Sequence, residues 1–91
     1  MNKTNRQVAL VTGGAVRLGK FISLALAEAG FDIVLHYHKS KQESLQTKLL
    51  IENKGTQCLA VQGDLRKTKD VKRLFSVAEK YFGDRKSTRL N

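Results

Sequence analysis

Three short apolar runs alternate along the chain with three longer stretches in which apolar residues recur at three- and four-residue steps. The runs lie within residues 7–12, 32–37 and 57–62, and the longer stretches cover residues 17–29, 41–53 and 68–82. Short unbroken apolar runs are typical of strands buried on both faces of a parallel sheet, and the longer spacing is typical of amphipathic helices. The pattern predicts the order β-α-β-α-β-α, with parallel strands joined by right-handed crossovers.

The helix ends and helix faces can also be predicted. Gly30 and Gly55 each follow a helical stretch, where a left-handed backbone favours glycine. Ser40 and Glu43 have the spacing of a capping box before the second helix, and Thr68 is placed to cap the third. The apolar periodicity predicts inward-facing residues Leu18, Phe21, Ile22, Ala25 and Ala29 in the first helix, Leu45, Leu49 and Leu50 in the second, and Val71, Leu74, Phe75, Ala78 and Phe82 in the third.

The loop that joins the first strand to the first helix is rich in glycine. Residues 12–20 read Thr-Gly-Gly-Ala-Val-Arg-Leu-Gly-Lys. A glycine turn in this position directs the unpaired N–H groups and the positive dipole end of the helix above the sheet, where an anionic pyrophosphate binds well. Arg17 adds a guanidinium suited to phosphate. The loop therefore predicts a phosphate-binding site.

This loop resembles the Thr-Gly-x-x-x-Gly-x-Gly pattern of the short-chain dehydrogenase/reductase family. Thr12, Gly13 and Gly19 match the pattern, whereas Arg17 replaces its middle glycine, a form similar to pteridine reductase-like members. The resemblance covers residues 7–83. It implies an α/β fold, the N-terminal half of a doubly wound parallel-sheet Rossmann domain with strand order 3-2-1 and a ligand crevice at the carboxyl ends of the strands.

The turn after the second strand indicates which dinucleotide is bound. NAD-binding members of this fold carry an acidic residue there, which accepts hydrogen bonds from the adenosine ribose. This chain instead has Tyr37, His38, Lys39 and Ser40, followed by the start of a helix. A cation, a hydroxyl group and a helix N-terminus suit a 2′-phosphate, so the sequence predicts NADP(H). His36 is left out of the site, because strand alternation points it away from the cofactor.

The resemblance assigns Asp64 to the adenine amino group, with the neighbouring Leu65 helping, although aspartate also suits a Gly-Asp-Leu turn for its own local hydrogen bonds. The expected cofactor site comprises Gly13, Arg17, Leu18, Gly19, Tyr37, His38, Lys39, Ser40, Asp64 and Leu65. Neither catalytic nor metal-binding residues are assigned. Tyr37 and Lys41 match the Tyr-x-x-x-Lys string of the family, but a strand end and a helix start do not place two side chains on one helix face.

The resemblance implies the NADPH-binding N-terminal part of an oxidoreductase whose full-length form, expected to be a homo-oligomer, reduces a carbonyl or pteridine-type substrate by hydride transfer. Two alternatives remain open: a 3-oxoacyl-carrier-protein reductase-like enzyme, and a non-catalytic nucleotide-binding regulatory module. Because the catalytic residues of the family lie downstream, the present chain is expected to be inactive as a reductase by itself.

Composition adds limits to this interpretation. The 17 basic and 8 acidic residues give a formal charge of +9, which suits a phosphorylated ligand. The basic residues are scattered and no nucleic-acid-binding motif is present, so a nucleic-acid partner is not expected. No apolar run has the length of a signal peptide or of a membrane span, and we expect a cytoplasmic protein without a membrane partner. Cys58 is expected to be a buried thiol.

The last residues break the pattern of the fold. Residues 84–91 read Asp-Arg-Lys-Ser-Thr-Arg-Leu-Asn, which does not resemble the next strand and has the sequence expected of a translated sequencing adapter. We therefore expect a truncated dinucleotide-binding domain over residues 1–83 and a non-native tail over residues 84–91. The outer edge of the first strand would then be left unpaired.

Overall fold

The fold is seen in a computed structural model that describes residues 7–14 and 17–83 together with the backbone of residues 88–90. Its elements are β1 (Val8–Val11), α1 (Arg17–Glu28), β2 (Asp32–Tyr37), α2 (Lys41–Asn53), β3 (Cys58–Gln62), α3 (Thr68–Phe82) and β4 (Thr88–Leu90). The predicted order of the first six elements is confirmed. Gly30 and Gly55 have φ angles of 97° and 94°, as predicted for glycines that follow helices.

The strands form one parallel sheet in the order β3-β2-β1-β4. The predicted 3-2-1 order and the α/β class are therefore confirmed. Val11 pairs with Leu35, and Leu35 pairs with Ala60, so β1, β2 and β3 run in the same direction with their carboxyl ends at one edge of the sheet. This edge is where an open α/β sheet binds its ligand.

The expectation that no strand follows α3 is wrong. β4 pairs in parallel with β1, with Val8 opposite Thr88 and Leu10 opposite Leu90. The backbone N–H and C=O groups along the outer edge of β1 provide a template on which an extended segment forms hydrogen bonds. Three residues are enough to cover that edge, which is not left unpaired.

Alternate residues of the strands pack on opposite faces of the sheet. The cluster on the α1 and α2 face consists of Ala9, Val11, Ala27, Ile33, Leu35, Ile51 and Cys58. The cluster on the α3 face consists of Val8, Leu10, Val34, Val61, Leu74 and Phe82. Because both faces are covered, the central strands are apolar at nearly every position, as their unbroken runs predicted.

The predicted helix faces are only partly right. In α1 the buried residues are Ser23 and Ala27, whereas Leu18 and Phe21 are 71% and 73% exposed. In α2 the buried residues are Ser44, Thr47 and Ile51, and the predicted leucines Leu45, Leu49 and Leu50 are exposed. In α3 the prediction holds for Leu74 and Phe82, whereas Phe75 is exposed.

Small hydroxyl residues occupy the inner faces of α1 and α2 because they can bond within their own helix. The Ser23 Oγ donates to the carbonyl oxygen of Gly19 at 2.8 Å, and the Ser44 Oγ donates to that of Lys41 at 2.7 Å. A hydroxyl group satisfied in this way can be buried at little cost, and its small volume lets the helix approach the sheet closely. Apolar periodicity by itself does not predict that serine residues are buried at these positions.

The predicted position of Ser40 is right, but the capping interactions predicted for Ser40 and Thr68 are wrong. Ser40 is the N-cap of α2, but its side chain makes no capping hydrogen bond, so the capping box with Glu43 does not form. The N-cap of α3 is Lys67, and Thr68 is the first helical residue. The Asp70 carboxylate, in the first turn of α3, instead accepts a hydrogen bond from the backbone N–H of Asp64 at 2.8 Å. This contact joins the turn after β3 to the first turn of α3.

Candidate functional site

The glycine turn after β1 packs tightly against the start of α1. Gly13 has a φ of 60°, a left-handed conformation that glycine adopts without strain. A Cβ on Gly19 would overlap the carbonyl oxygen of Gly13, and a Cβ on Gly14 would lie 2.6 Å from the Leu35 side chain. The Ser23 hydroxyl also lies 3.3 Å from the carbonyl oxygen of Gly14. Gly19 is therefore required for the turn to lie this close to the helix, whereas a Cβ on Gly14 would meet side chains of β1, β2 and α1.

Arg17 begins α1 with a φ of 53°. This left-handed conformation is uncommon for a residue with a Cβ and is strained relative to glycine. Residue 17 is also the position where the family pattern carries its middle glycine, so the backbone explains that pattern directly. The Arg17 side chain is exposed, and so is that of its neighbour Leu18.

His36 connects the turns on either side of β2, and sequence reasoning missed it. Its Nδ1 accepts a hydrogen bond from the backbone N–H of Gly13 at 3.0 Å, and its Nε2 lies 2.8 Å from the carbonyl oxygen of Gly63. A backbone N–H can only donate, so Nδ1 is unprotonated and Nε2 carries the proton that it donates to Gly63. His36 is 4% exposed. The sequence feature that could have revealed its role is a polar residue at the end of a buried strand, where a glycine-containing turn lies on each side.

The turn after β2 lies at the same sheet edge. Tyr37 is half-buried and its carbonyl oxygen accepts a hydrogen bond from the N–H of Gly63, while the side chains of His38 and Lys39 are exposed. The Gln62 amide donates to the carbonyl oxygen of His38 at 3.1 Å, which ties this turn to the end of β3. The half-buried Ser40 precedes α2. That this turn binds a phosphate stays a prediction.

No carboxylate of β2 competes for that position within the described residues. Asp32, at the opposite end of the strand, is fully buried, and its Oδ1 accepts a hydrogen bond from the backbone N–H of Gln57 at 2.7 Å. Glu43 belongs to the first turn of α2 rather than to the turn itself. Among the described residues, the turn after β2 thus carries the Lys39 ammonium and no carboxylate from β2.

Asp64 follows β3 and is held by Arg66. The Arg66 Nε and backbone N–H each lie 3.0 Å from Oδ1 of Asp64, and the Arg66 Nη2 lies 2.9 Å from Oδ2. The Nε2 of His38 lies 3.9 Å from Oδ2. The hydrogen bonds from Arg66 hold the pKa of Asp64 well below its usual range. Asp64 is thus ionised at neutral pH, and it lies next to an exposed Leu65.

The hydrogen bonds from Arg66 do not occupy all the acceptor positions of the Asp64 carboxylate. A carboxylate offers about four acceptor positions, and Arg66 takes two on Oδ1 and one on Oδ2. Among the described residues, Arg66 supplies one hydrogen bond to Oδ2, which can accept a second. Sequence reasoning did not single out Arg66, whose side chain is 84% exposed and lies 2.9 Å from Oδ2 of Asp64.

Other functional groupings are absent from the described part of the chain. Tyr37 ends β2 and Lys41 begins α2, so the Tyr-x-x-x-Lys string is not on one helix, as the sequence analysis argued. The described residues contain no cluster of His, Cys, Asp or Glu that could hold a metal ion. Among the helices that the structure describes, none is long and apolar enough to span a membrane.

Comparison with known proteins agrees with this geometry. The chain is 39% identical over 71 residues to the short-chain dehydrogenase/reductase homolog YusS of Bacillus subtilis, which covers 78% of this chain and 64% of that protein. It is 35% identical over 77 residues to the hydroxynaphthalene reductase-like protein Arp2 of Metarhizium brunneum, covering 85% of this chain and 29% of that protein. The chain thus spans less than two thirds of the length of these relatives.

Among solved structures, a protein from Burkholderia cenocepacia crystallised with bound NADP superposes with a TM-score of 0.86 at 27% identity, over 96% of this chain and 34% of that one. The family model for short chain dehydrogenases matches residues 7–85, which include β1, the glycine turn and all three helices. The chain therefore belongs to the short-chain dehydrogenase family.

Proposed function

We propose that this chain is the NADP(H)-binding part of an oxidoreductase that transfers hydride to a carbonyl or pteridine-type substrate. The proposal depends on the turn after β2. His38, Lys39 and Ser40 lie there, just before the N-terminus of α2. The carboxylate of β2, Asp32, is at the opposite end of the strand and bonded to Gln57. Positive charge and hydroxyl donors at this place favour a 2′-phosphate, whereas a carboxylate would repel it.

Each of the three strand ends has a role in this proposal. Gly13, Arg17, Leu18 and Gly19 hold the pyrophosphate, with the N-terminus of α1 supplying N–H donors. Tyr37, His38, Lys39 and Ser40 surround the 2′-phosphate of the adenosine ribose. Oδ2 of Asp64 accepts a hydrogen bond from the adenine amino group beside the one it accepts from Arg66, and Leu65 lies beside the base.

The cofactor supplies the hydride, and the role of this chain is to bind and orient the cofactor. None of the residues described here is assigned a catalytic role. We propose that the catalytic groups belong to sequence beyond residue 83, that residues 84–91 are not native, and that the chain alone binds the nucleotide without reducing a substrate. The complete enzyme is proposed to be a homo-oligomer.

The test is discrimination between NADPH and NADH by the protein expressed from its complete reading frame. Lys39→Ala is expected to weaken NADPH binding about tenfold, because a charged hydrogen bond to phosphate is lost, and to leave NADH binding unchanged. Lys72→Ala is the matched control, since Lys72 is an exposed lysine on α3. Equal loss of both cofactors in Lys39→Ala, or tighter binding of NADH by the unaltered protein, would refute the NADP(H) assignment.

A further inference from the structure

We infer that His36 is a positioning residue that sets the shape of the nucleotide crevice by holding the glycine turn to the end of β3. The inference rests on the proposed function, because it concerns the same binding site. His36 touches neither pyrophosphate nor ribose in this scheme. It acts through the backbone of Gly13 and Gly63, which flank the crevice on either side of β2.

The two hydrogen bonds of His36 join segments that are otherwise separate. Gly13 follows β1 and Gly63 follows β3, and these strands are not neighbours because β2 lies between them. The imidazole ring of His36 spans β2. Its Nδ1 accepts from the Gly13 N–H at 3.0 Å, and its Nε2 donates to the Gly63 carbonyl oxygen at 2.8 Å. Each turn is also tied to β2 by a backbone hydrogen bond, and the His36 ring adds a direct link from one turn to the other.

The Gly13 peptide is held from both sides. Its N–H is used by His36, and its carbonyl oxygen lies against Gly19 at the start of α1. The N–H of the next residue, Gly14, donates to the carbonyl oxygen of His36 itself at 3.0 Å. His36 thus contacts two successive N–H groups of the turn, one through its ring and one through its backbone, and only the ring contact can be removed by substitution.

The ring also contacts the residue that precedes Asp64. Gly63, whose carbonyl oxygen accepts from His36 Nε2, precedes Asp64 directly, and its own N–H donates to the carbonyl oxygen of Tyr37. The adenine-binding carboxylate and the pyrophosphate-binding turn are thereby connected through one buried residue. A dinucleotide that contacts both turns needs them at a fixed separation.

Two substitutions separate the two hydrogen bonds. In His36→Asn the side-chain oxygen can take the place of Nδ1 and accept from Gly13, but the side chain is too short to reach Gly63. In His36→Gln the amide nitrogen can take the place of Nε2 and donate to Gly63, and the acceptor for Gly13 is lost. His36→Leu removes both. We expect the bond to Gly13 to govern affinity, because Gly13 belongs to the pyrophosphate-binding turn.

The experiment measures the Kd for NADPH, the melting temperature and the exchange rate of the Gly13 amide proton, in the protein expressed from its complete reading frame. His36→Gln and His36→Leu are expected to raise the Kd about tenfold, since a donor in the turn loses its acceptor. Both should also speed exchange of the Gly13 amide. His36→Asn is expected to restore the wild-type Kd and slow exchange, even where its melting temperature equals that of His36→Gln.

Three results distinguish a positioning role of His36 from a purely structural one, and both from failure of the proposed NADPH binding. Equal Kd values for the Asn and Gln variants at equal melting temperatures would overturn the inference and leave His36 with a purely structural role. Unchanged Gly13 exchange in His36→Leu would overturn it as well, independently of any ligand. Failure of the unaltered protein to bind NADPH would instead refute the proposed function, while the exchange measurement would still decide whether His36 holds Gly13.

Discussion

Gly19 lies so close to the carbonyl oxygen of Gly13 that a single methyl group at residue 19 would overlap it. The contact joins the glycine turn to the first turn of α1 through backbone atoms, which cannot rotate aside as a flexible side chain can. This close approach, rather than freedom of the backbone at residue 19 itself, is what requires glycine there.

Gly19→Ala is therefore expected to destabilise the fold by about 3 kcal/mol, because the turn must move away from the helix. Gly63→Ala is the control. A Cβ there would meet only the flexible Arg73 side chain at 3.4 Å and the Asp70 Cβ at 3.7 Å, so the cost should stay under about 1 kcal/mol. Urea denaturation of both variants measures the difference, and similar losses at the two positions would contradict the packing argument.

At residue 17 we expect a glycine to increase stability rather than to be required for it. Its φ of 53° strains a residue with a Cβ, so Arg17→Gly is expected to stabilise the fold by about 1 kcal/mol while weakening binding of 2′,5′-ADP. Arg17→Ala keeps the Cβ and removes only the guanidinium, so it should weaken binding without the gain in stability. Denaturation and calorimetric titration measure the two effects. A stability gain in Arg17→Ala equal to that in Arg17→Gly would show that the backbone is not the cause.

The pair of Asp64 and Arg66 makes a prediction about pH. The hydrogen bonds from Arg66 lower the pKa of Asp64, so the pair stabilises the folded state above the unfolded pKa of aspartate, about 4, and this contribution is lost as the pH falls through the lowered folded value. The stability difference between wild type and Asp64→Asn should therefore be constant above about pH 5 and shrink in acid.

Arg66→Ala tests the cause of that shift. Without the guanidinium, the pKa of Asp64 should return toward its ordinary value, and a carbon-detected NMR titration of the carboxyl group measures it. Lys67→Ala, which removes a neighbouring exposed cation, is the control and should leave the pKa of Asp64 low. A low pKa that persists in Arg66→Ala would assign the shift to another group.

Cys58 should be unreactive in the native protein. Burial, followed by the nearby Glu52 charge, raises the pKa of its thiol to about 12, so the thiolate is scarce at neutral pH. Ellman's reagent at pH 8 is expected to react only as fast as the protein unfolds, and fully in 6 M guanidinium. Rapid native reaction would mean that β3 is open to solvent rather than packed beneath α2.

The sequence by itself determined the order of the first six elements, the parallel sheet and the placement of the glycine turn, because strand and helix periodicities and glycine after helices are local properties. It also placed Lys39 and Asp64 at strand ends. Whether these side chains bind a phosphorylated dinucleotide is a prediction that the proposed experiments test.

Tertiary structure alone decided the rest, for reasons of packing. Ser23 and Thr47 face inward, and Leu49 outward, because small side chains let α1 and α2 lie close to the sheet, and apolar periodicity counts only hydrophobicity. β4 pairs with β1 because the unpaired N–H and C=O groups along a strand edge form hydrogen bonds with an extended segment, and an apolar pattern in that segment is not needed for them. The bridge made by His36 depends on two turns, 23 and 27 residues away in the chain, that meet only once the sheet has formed.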